Sequence, residues 1–153
     1  MKKLNQKSDE VTVVIEVSFK ENFNEVKKYI REEQCPLFFN LNDDGIIRFE
    51  WFVDEDEKGG TLIEVFKNSN VWEELGNKII GSPVNIRFME LFNVEKLSVL
   101  GEINESFKEK IKGLNPVVKS YKNSVFWFRI HVGLESSSDL INDLKKGFFE
   151  YEK

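Results

Sequence analysis

The stretch IIRFEWFVDEDEKGGTLIEVF, residues 46–66, has the pattern of a β-hairpin. Two runs rich in β-branched and aromatic residues flank an acidic turn with two adjacent glycines, which predicts two antiparallel strands joined by a loop. Arg48, Glu50 and Glu64 interrupt these apolar runs. Strands that are apolar on both faces are usually covered on both. The hairpin therefore predicts that these three charged side chains face a ligand, a partner subunit or one another, and not a plain apolar core.

A strand and a helix precede the hairpin. VTVVIEVSF, residues 11–19, is apolar at every odd position, which predicts a strand with one buried face. ENFNEVKKYIREE has apolar residues at helical spacing, and Asn22 is placed to cap that helix. Pro36 and the polar cluster NLNDDG predict the end of the helix and a return loop.

A second helix and a fourth strand follow the hairpin. SNVWEELGNKII predicts a helix with Ser69 as its N-cap, and NIRFMELF, after Pro83, predicts a short helical segment. VEKLSVLG, residues 94–101, predicts the fourth strand. The resulting β-α-β-β-α-β order predicts a ferredoxin-like α+β fold, an antiparallel sheet with helices on one face.

An internal repeat supports this order. VIEVSFKENFNEVKKYI, from Val14, aligns with LIEVFKNSNVWEELGNKI, from Leu62, with one residue of slack at the strand–helix junction. The alignment matches Glu16 with Glu64 and predicts that both carboxylates point to the same face of the sheet. It also assigns Ile63 and Val65 to the helix-covered face.

The rest of the chain predicts a helix–strand–helix extension within one domain. NESFKEKIKGLNP is a short helix, residues 125–132 are a fifth strand, and residues 133–153 are a C-terminal amphipathic helix. Residues 1–10 are polar and predict a disordered leader. Residues 11–132 then form one ferredoxin-like α+β domain with its extension, since no long linker divides the chain.

Composition excludes several classes of function. A formal charge of −5 and a pI of about 5.1 disfavour binding to nucleic acid or to an anionic membrane. No apolar run approaches the ~18 residues of a membrane span. A single cysteine, Cys35, excludes an internal disulfide and a cysteine-cluster metal site. No signal-peptide pattern follows the first lysines, so we expect a cytoplasmic protein.

The sheet face away from the helices is predicted to be mixed in character. The helix-covered face is predicted to take these hairpin residues: Ile47, Phe49, Trp51 and Val53. The opposite face is predicted to take these charged, polar and aromatic residues: Glu16, Arg48, Glu50, Phe52, Glu64, Phe66, Lys96 and Ser98. Such a face is too apolar for open solvent and too charged for a plain core. It predicts the wall of a pocket or the interface of a homodimer.

The run FEWFVDEDEKGGTLIEVFKNSNVWEEL resembles the hairpin and second helix of the antibiotic-biosynthesis-monooxygenase-like family, the dimeric α+β barrels. FMELFNVEKLSVLGEINESFKEKIKGLNPVV resembles the C-terminal extension of a longer branch of that family. The resemblance covers residues 11–130. It implies a homodimer whose two sheets form a barrel, with a pocket in each protomer.

The same resemblance implies a range of activities. Some members oxygenate quinols or polyphenols with dioxygen and no cofactor, others degrade haem, and many have no known activity. Active members often carry a histidine early in the second helix. This chain has Trp72, Glu73, Glu74 and Leu75 there, so haem ligation by that helix is not expected and histidine-assisted oxygenation is in doubt.

Three carboxylates, Glu16, Glu50 and Glu64, are the candidate catalytic residues. A pair of neighbouring carboxylates raises the pKa of one of them and supplies an acid or base near neutrality. The alternative is that Arg48 and Lys96 neutralise Glu16 and Glu64 in interface salt bridges. Glu50 is placed either to deprotonate a phenol or to pair with Arg48 of the partner subunit.

Two functions stay open at this point. One is cofactor-free oxygenation of a quinol or polyphenol; the other is a non-catalytic dimeric module that binds or senses a small aromatic molecule. RNA binding is disfavoured by the net charge of −5. The only histidine, His131, is expected to be structural or exposed, and no metal site is expected.

Overall fold

Five strands and five α-helices follow from Val11 onward in the computed structural model, which describes residues 8–41 and 43–120. The strands are β1 (Val11–Phe19), β2 (Ile46–Val53), β3 (Gly59–Phe66), β4 (Phe92–Leu100) and β5 (Val117–Lys119). The helices are α1 (Phe23–Tyr29), α2 (Cys35–Leu41), α3 (Ser69–Ile79), α4 (Pro83–Leu91) and α5 (Glu105–Ile111). A π-helical segment, Ile30–Gln34, joins α1 to α2, and a 3₁₀ turn, Lys112–Leu114, follows α5.

The sheet has the strand order β2-β3-β1-β4-β5. β1 is antiparallel to both β3 and β4, and β2 is antiparallel to β3. β1 and β2 therefore run in the same direction with β3 between them, which is the split βαβ arrangement. The predicted ferredoxin-like α+β fold is confirmed.

One strand was missed, and several predicted elements cannot be compared. β5 pairs in parallel with the end of β4, and its three residues are too few to show a periodic pattern. The predicted strand at residues 125–132, the C-terminal helix and residues 1–7 of the leader lie outside the described residues.

The first helical stretch continues to Leu41, so the return loop predicted at Pro36 is wrong. In the π-helical segment the Cys35 N–H donates to the Ile30 carbonyl, five residues earlier. Pro36 is the second residue of α2 and has no N–H to donate, so the wider π turn lies where a hydrogen bond of a regular helix would be missing.

The predicted N-cap of α1 is confirmed, and the predicted N-cap of α3 is not. The Asn22 side chain accepts from the Glu25 N–H at 3.2 Å, as predicted. The predicted Ser69 cap is wrong, because Asn68 caps α3 by accepting from the Val71 N–H at 3.1 Å. The Ser69 hydroxyl accepts instead from the Asn104 N–H at 2.8 Å and ties α3 to the start of α5.

The register of the hairpin decides which side chains meet the helices. Residues directly opposite each other in an antiparallel pair share a face. Glu64 lies opposite Val13 of β1 and opposite Phe49 of β2. Val13 is fully buried, and the Phe49 ring stacks on Phe38 of α2 with centroids 3.9 Å apart. Glu64 therefore faces the helices.

The face prediction for β3 is wrong for this reason. Leu62, Glu64 and Phe66 are buried on the helix side, whereas Ile63 and Val65 occupy the opposite face. The placement of Phe49 and Trp51 toward the helices is confirmed.

Two other positions of β2 differ from the prediction. A register shift lies between Ile46 and Arg48, so Ile46 packs on the core, whereas Ile47 is 52% exposed. Val53, at the hairpin end, is also exposed.

Two clusters of buried apolar side chains lie between the helices and the sheet. The first contains Val11, Val13, Phe66, Trp72, Leu75, Leu97, Val99, Phe107 and Ile111. The second contains Val17, Val26, Tyr29, Phe88, Leu91 and Phe92. Burial of these rings and branched chains supplies most of the driving force that holds the helices on the sheet.

Candidate functional site

A cavity of about 440 Å³ lies between the helix-facing side of the sheet and the helices. Side chains from both core clusters line it, so it separates the two clusters. Its aromatic walls are Tyr29, Phe38, Trp72, Phe88 and Phe107. A concave, mostly apolar chamber of this size suits a small organic molecule.

Glu64 is the acidic side chain that lines this cavity. It is 8% exposed, and burial raises its pKa from 4.5 to about 7. Burial is the one cause of this raised pKa, and no hydrogen bond or ion pair from a described residue contributes to it. An unpartnered carboxyl group with a pKa near neutrality can accept a proton from a bound molecule or return one.

Gln34, the last residue of the π-helical segment, also lines the cavity and is 5% exposed. Its Oε1 accepts a hydrogen bond from the Trp51 Nε1–H at 2.8 Å. Sequence reasoning missed Gln34, since it lies just after the predicted helix and no motif surrounds it. Its burial depends on the helix continuing past Pro36.

Tyr29 and Lys110 are further polar residues of the cavity lining. The Tyr29 hydroxyl donates to the Val84 carbonyl at 3.0 Å, and burial, followed by the charge of Glu33, raises its pKa. Lys110 donates to the side chain of Asn77. Both groups are therefore already engaged.

Two of the predicted catalytic carboxylates lie on the other face of the sheet. Arg48 Nη2 donates to Glu50 Oε2 at 2.5 Å, and this hydrogen bond lowers the pKa of Glu50. Lys96 Nζ donates to Glu16 Oε1 at 3.2 Å. Of the predicted alternative, only neutralisation of Glu16 by Lys96 is seen. Glu50 pairs with Arg48 of its own chain. The predicted pairing of Glu16 with Glu64 is wrong, because the two side chains point to opposite faces.

Four of the residues predicted to line a pocket lie on the outer face of the sheet, away from the helices, as predicted: Arg48, Phe52, Lys96 and Ser98. None of them lines the Glu64 cavity, which is on the helix side. Phe66 is fully buried in the core, 6.0 Å from Trp72 between ring centroids, and is not among the residues that line the cavity. Glu16 borders a shallower groove at the hairpin end of the outer face.

The described residues show neither a metal site nor a membrane span. Within residues 8–41 and 43–120, no group of three or more histidine, cysteine, aspartate or glutamate side chains is arranged to hold a metal ion. No helix in the same ranges has the length and hydrophobicity that crossing a membrane requires. His131 lies outside the described residues.

Comparisons of sequence give no match, either to a protein-family model or to a curated protein. Comparison of structure does. MupZ from Pseudomonas fluorescens is similar over 75% of this chain and 92% of its own, with a TM-score of 0.59 and 13% identity. A variant of SnoaB, a cofactor-independent oxygenase from Streptomyces nogalater, is similar over 63% of this chain and 96% of its own, with a TM-score of 0.53 and 15% identity.

These similarities establish a shared fold. At 13% and 15% identity they do not transfer an activity. The chain thus shares its fold with a cofactor-independent oxygenase. In this chain a cavity lined by Glu64 lies between the sheet and the helices.

Proposed function

We propose that this protein belongs to the antibiotic-biosynthesis-monooxygenase-like family and oxygenates a quinol or polyphenol in its cavity, with dioxygen and without a cofactor. The observation that carries the proposal is the buried, unpartnered Glu64 in an aromatic chamber. The fold shared with SnoaB supports it.

Glu64 is the general base in this proposal. The ionised carboxylate takes the proton of a bound phenolic hydroxyl, and the electron-rich phenolate that results transfers an electron to dioxygen. The radical pair combines at a ring carbon to give a peroxide anion, which takes the proton back from Glu64 and becomes a hydroperoxide. Loss of water converts that ring C–H to C=O, so one oxygen atom enters the product and the other leaves as water with the hydroxyl and ring hydrogens. All electrons come from the substrate.

The cavity contributes in two further ways. Its aromatic walls hold a flat ring by stacking and by area burial. Exclusion of water keeps the carboxylate poorly solvated, which makes it a stronger base than a surface glutamate.

Dioxygen uptake with a panel of quinols and polyphenols tests the proposal. We expect uptake above the buffer rate with at least one of them, and a loss of roughly a hundredfold or more in Glu64→Gln, in line with the removal of a general base. Glu16→Gln is the matched control, because Glu16 lies on the outer face. Absence of uptake with every compound would reject the oxygenase.

A non-catalytic module that binds or senses a small molecule is the second candidate. The absence of any histidine from the described residues favours it, since a lone carboxyl group is then the acid–base group of the cavity. Under this candidate, an aromatic ligand binds without dioxygen uptake, and Glu64→Gln changes its affinity only.

We also propose that a second copy of the chain covers the outer face of the sheet. Apolar side chains stand open there, with Phe52 49% and Leu100 41% exposed among the Arg48–Glu50 and Lys96–Glu16 ion pairs. A two-fold axis through this face would bury the apolar residues of both copies. Such pairing of sheets gives the dimeric barrel that the sequence resemblance implies.

A further inference from the structure

The orientation of the Gln34 amide is fixed by Trp51. An indole N–H can only donate, so the amide group must turn its oxygen to Trp51 Nε1, and that hydrogen bond is 2.8 Å long. The NH₂ group is then on the branch of the amide away from Trp51. No hydrogen bond from it to another described residue is seen, and Gln34 is 5% exposed and borders the cavity. Because no fully buried side-chain nitrogen among the described residues lacks a partner, this NH₂ group keeps accessible surface.

The backbone around Gln34 departs from a regular helix. The π-helical segment, with its hydrogen bond from Cys35 to Ile30, ends at this residue. One extra residue per turn rotates the side chains that follow, and such segments are frequent at functional sites. Here the departure ends at a buried polar side chain of the cavity wall.

Gln34 and Glu64 both line the same cavity. Trp51, which holds Gln34, lies opposite Leu62, and Glu64 is the next residue of β3 on the same face. When Glu64 is ionised, it offers only acceptors, whereas the free branch of the Gln34 amide offers only donors. The cavity therefore presents a complementary pair to whatever it holds.

We propose that Gln34 is a specificity-determining residue, whose NH₂ group donates to an oxygen acceptor on the molecule whose hydroxyl faces Glu64. This inference rests on the proposed function of the cavity. Tyr29 does not supply this donor, since its hydroxyl hydrogen goes to Val84. A molecule without the acceptor leaves a buried N–H unsatisfied, and sites built around such a group discriminate strongly against it.

The test compares ligands that differ only in the acceptor. Positional isomers of hydroxytetralone have a phenolic hydroxyl and a ketone on one bicyclic skeleton, and the matching hydroxytetralins lack the ketone. Isothermal titration calorimetry gives the affinity of each for the wild-type protein, for Gln34→Met and for Asn40→Met. Asn40 is an exposed amide on α2 and serves as the control.

We expect the wild-type protein and Asn40→Met to prefer at least one ketone over its tetralin. Gln34→Met should lower that preference by roughly fivefold to tenfold, with little change for the tetralin, since it keeps the length of the side chain and loses one hydrogen bond. Trp51→Phe keeps a ring but frees the amide to turn over, and should lower the preference in part. Both variants are assayed as folded protein, and a general loss of stability does not change a ratio of affinities.

The opposite results separate two failures. The role of Gln34 is overturned if the wild-type protein binds tetralins and ketones equally well. It is also overturned if both Gln34→Met and Trp51→Phe keep the preference for the ketone. Either result leaves the proposed cavity function standing. Binding of neither compound class overturns both.

Discussion

Glu64 illustrates how a single side chain acquires its chemistry from its surroundings. The same residue type at Glu50 lies beside Arg48, and the hydrogen bond between them lowers the pKa of Glu50. Glu64 is on the next strand but on the covered face, where burial without a partner raises its pKa to about 7. Desolvation penalises the charged form, and a neighbouring cation favours it. The sheet therefore separates a structural carboxylate from one that can exchange a proton.

This burial makes stability depend on pH. Between the ordinary pKa of 4.5 and the folded value of about 7, the folded protein holds the Glu64 proton more tightly than the unfolded chain does. Its contribution to stability is therefore fully present below pH 4.5 and is lost as the pH rises through 7. We expect Glu64→Gln to be more stable than the wild-type protein at pH 8, by up to about 3 kcal/mol.

Urea unfolding at a series of pH values measures this effect. The free energy of unfolding of Glu64→Gln, relative to the wild-type protein, should rise from pH 5 to pH 8 and then level off. Glu16→Gln, on the outer face, should show no such rise. Equal pH profiles for the wild-type protein and Glu64→Gln would contradict the burial of an unpartnered carboxyl group.

At the scale of elements, the sequence patterns predicted where the strands lie better than they predicted which side chains of a strand face the helices. The predicted bounds of β1 agree with the structure, because strict alternation defines a half-buried strand. β3 is apolar on both parities, so alternation did not decide its face. The hairpin decides it: Val53 pairs with Gly60, so odd residues of β2 meet even residues of β3. A turn one residue shorter or longer would reverse every side chain of β3.

The internal repeat shows the same one-residue difference. Alignment of the strands by their last residues matches Phe19 with Phe66, and Val17 then corresponds to Glu64. The two strands must therefore be shifted by one residue relative to the alignment made from the sequence, which had put the one-residue gap at the strand–helix junction. The repeat therefore predicted the order of elements, but not the side of the sheet on which Glu64 lies.

α3 and α5 approach each other closely at Gly76. A Cβ atom there would lie 2.5 Å from Cζ of Phe107, whose side chain is 1% exposed. Alanine normally stabilises a helix relative to glycine by roughly 0.5–1 kcal/mol. We expect Gly76→Ala to destabilise the protein instead, by about 1–3 kcal/mol, because the Phe107 ring would have to shift from its edge-on contact with Trp72.

Thermal and urea unfolding check this sign. Gly113→Ala is the control, since no atom lies within 4 Å of its added Cβ, and it should change the free energy of unfolding by less than about 0.5 kcal/mol. A stabilised Gly76→Ala would mean that α3 and α5 are packed less tightly than the structure shows.

At the scale of the whole molecule, the fold could be predicted and the site only in part. The order of elements and their hydrophobic patterns were sufficient for the ferredoxin-like sheet. Glu64 was identified as a candidate because a charge interrupts an apolar strand. Gln34 was not, since its position depends on a π-helical segment and on Trp51, two strands away in the sheet from β1. Sites assembled from distant elements carry no local signal.

Two copies of the chain are expected to pair through the outer faces of their sheets. We expect the wild-type protein to have twice its 18.0 kDa chain mass in native mass spectrometry and light scattering. Phe52→Lys should shift it to the monomer, because a charge at the centre of an apolar contact would be buried without a partner. Phe39→Lys replaces a more exposed phenylalanine, 84% exposed on α2, and should remain dimeric. A wild-type monomer would remove the barrel from the proposal, and a Phe52→Lys dimer would place the interface elsewhere. In either case the Glu64 cavity, which lies entirely on the helix side, would be unaffected.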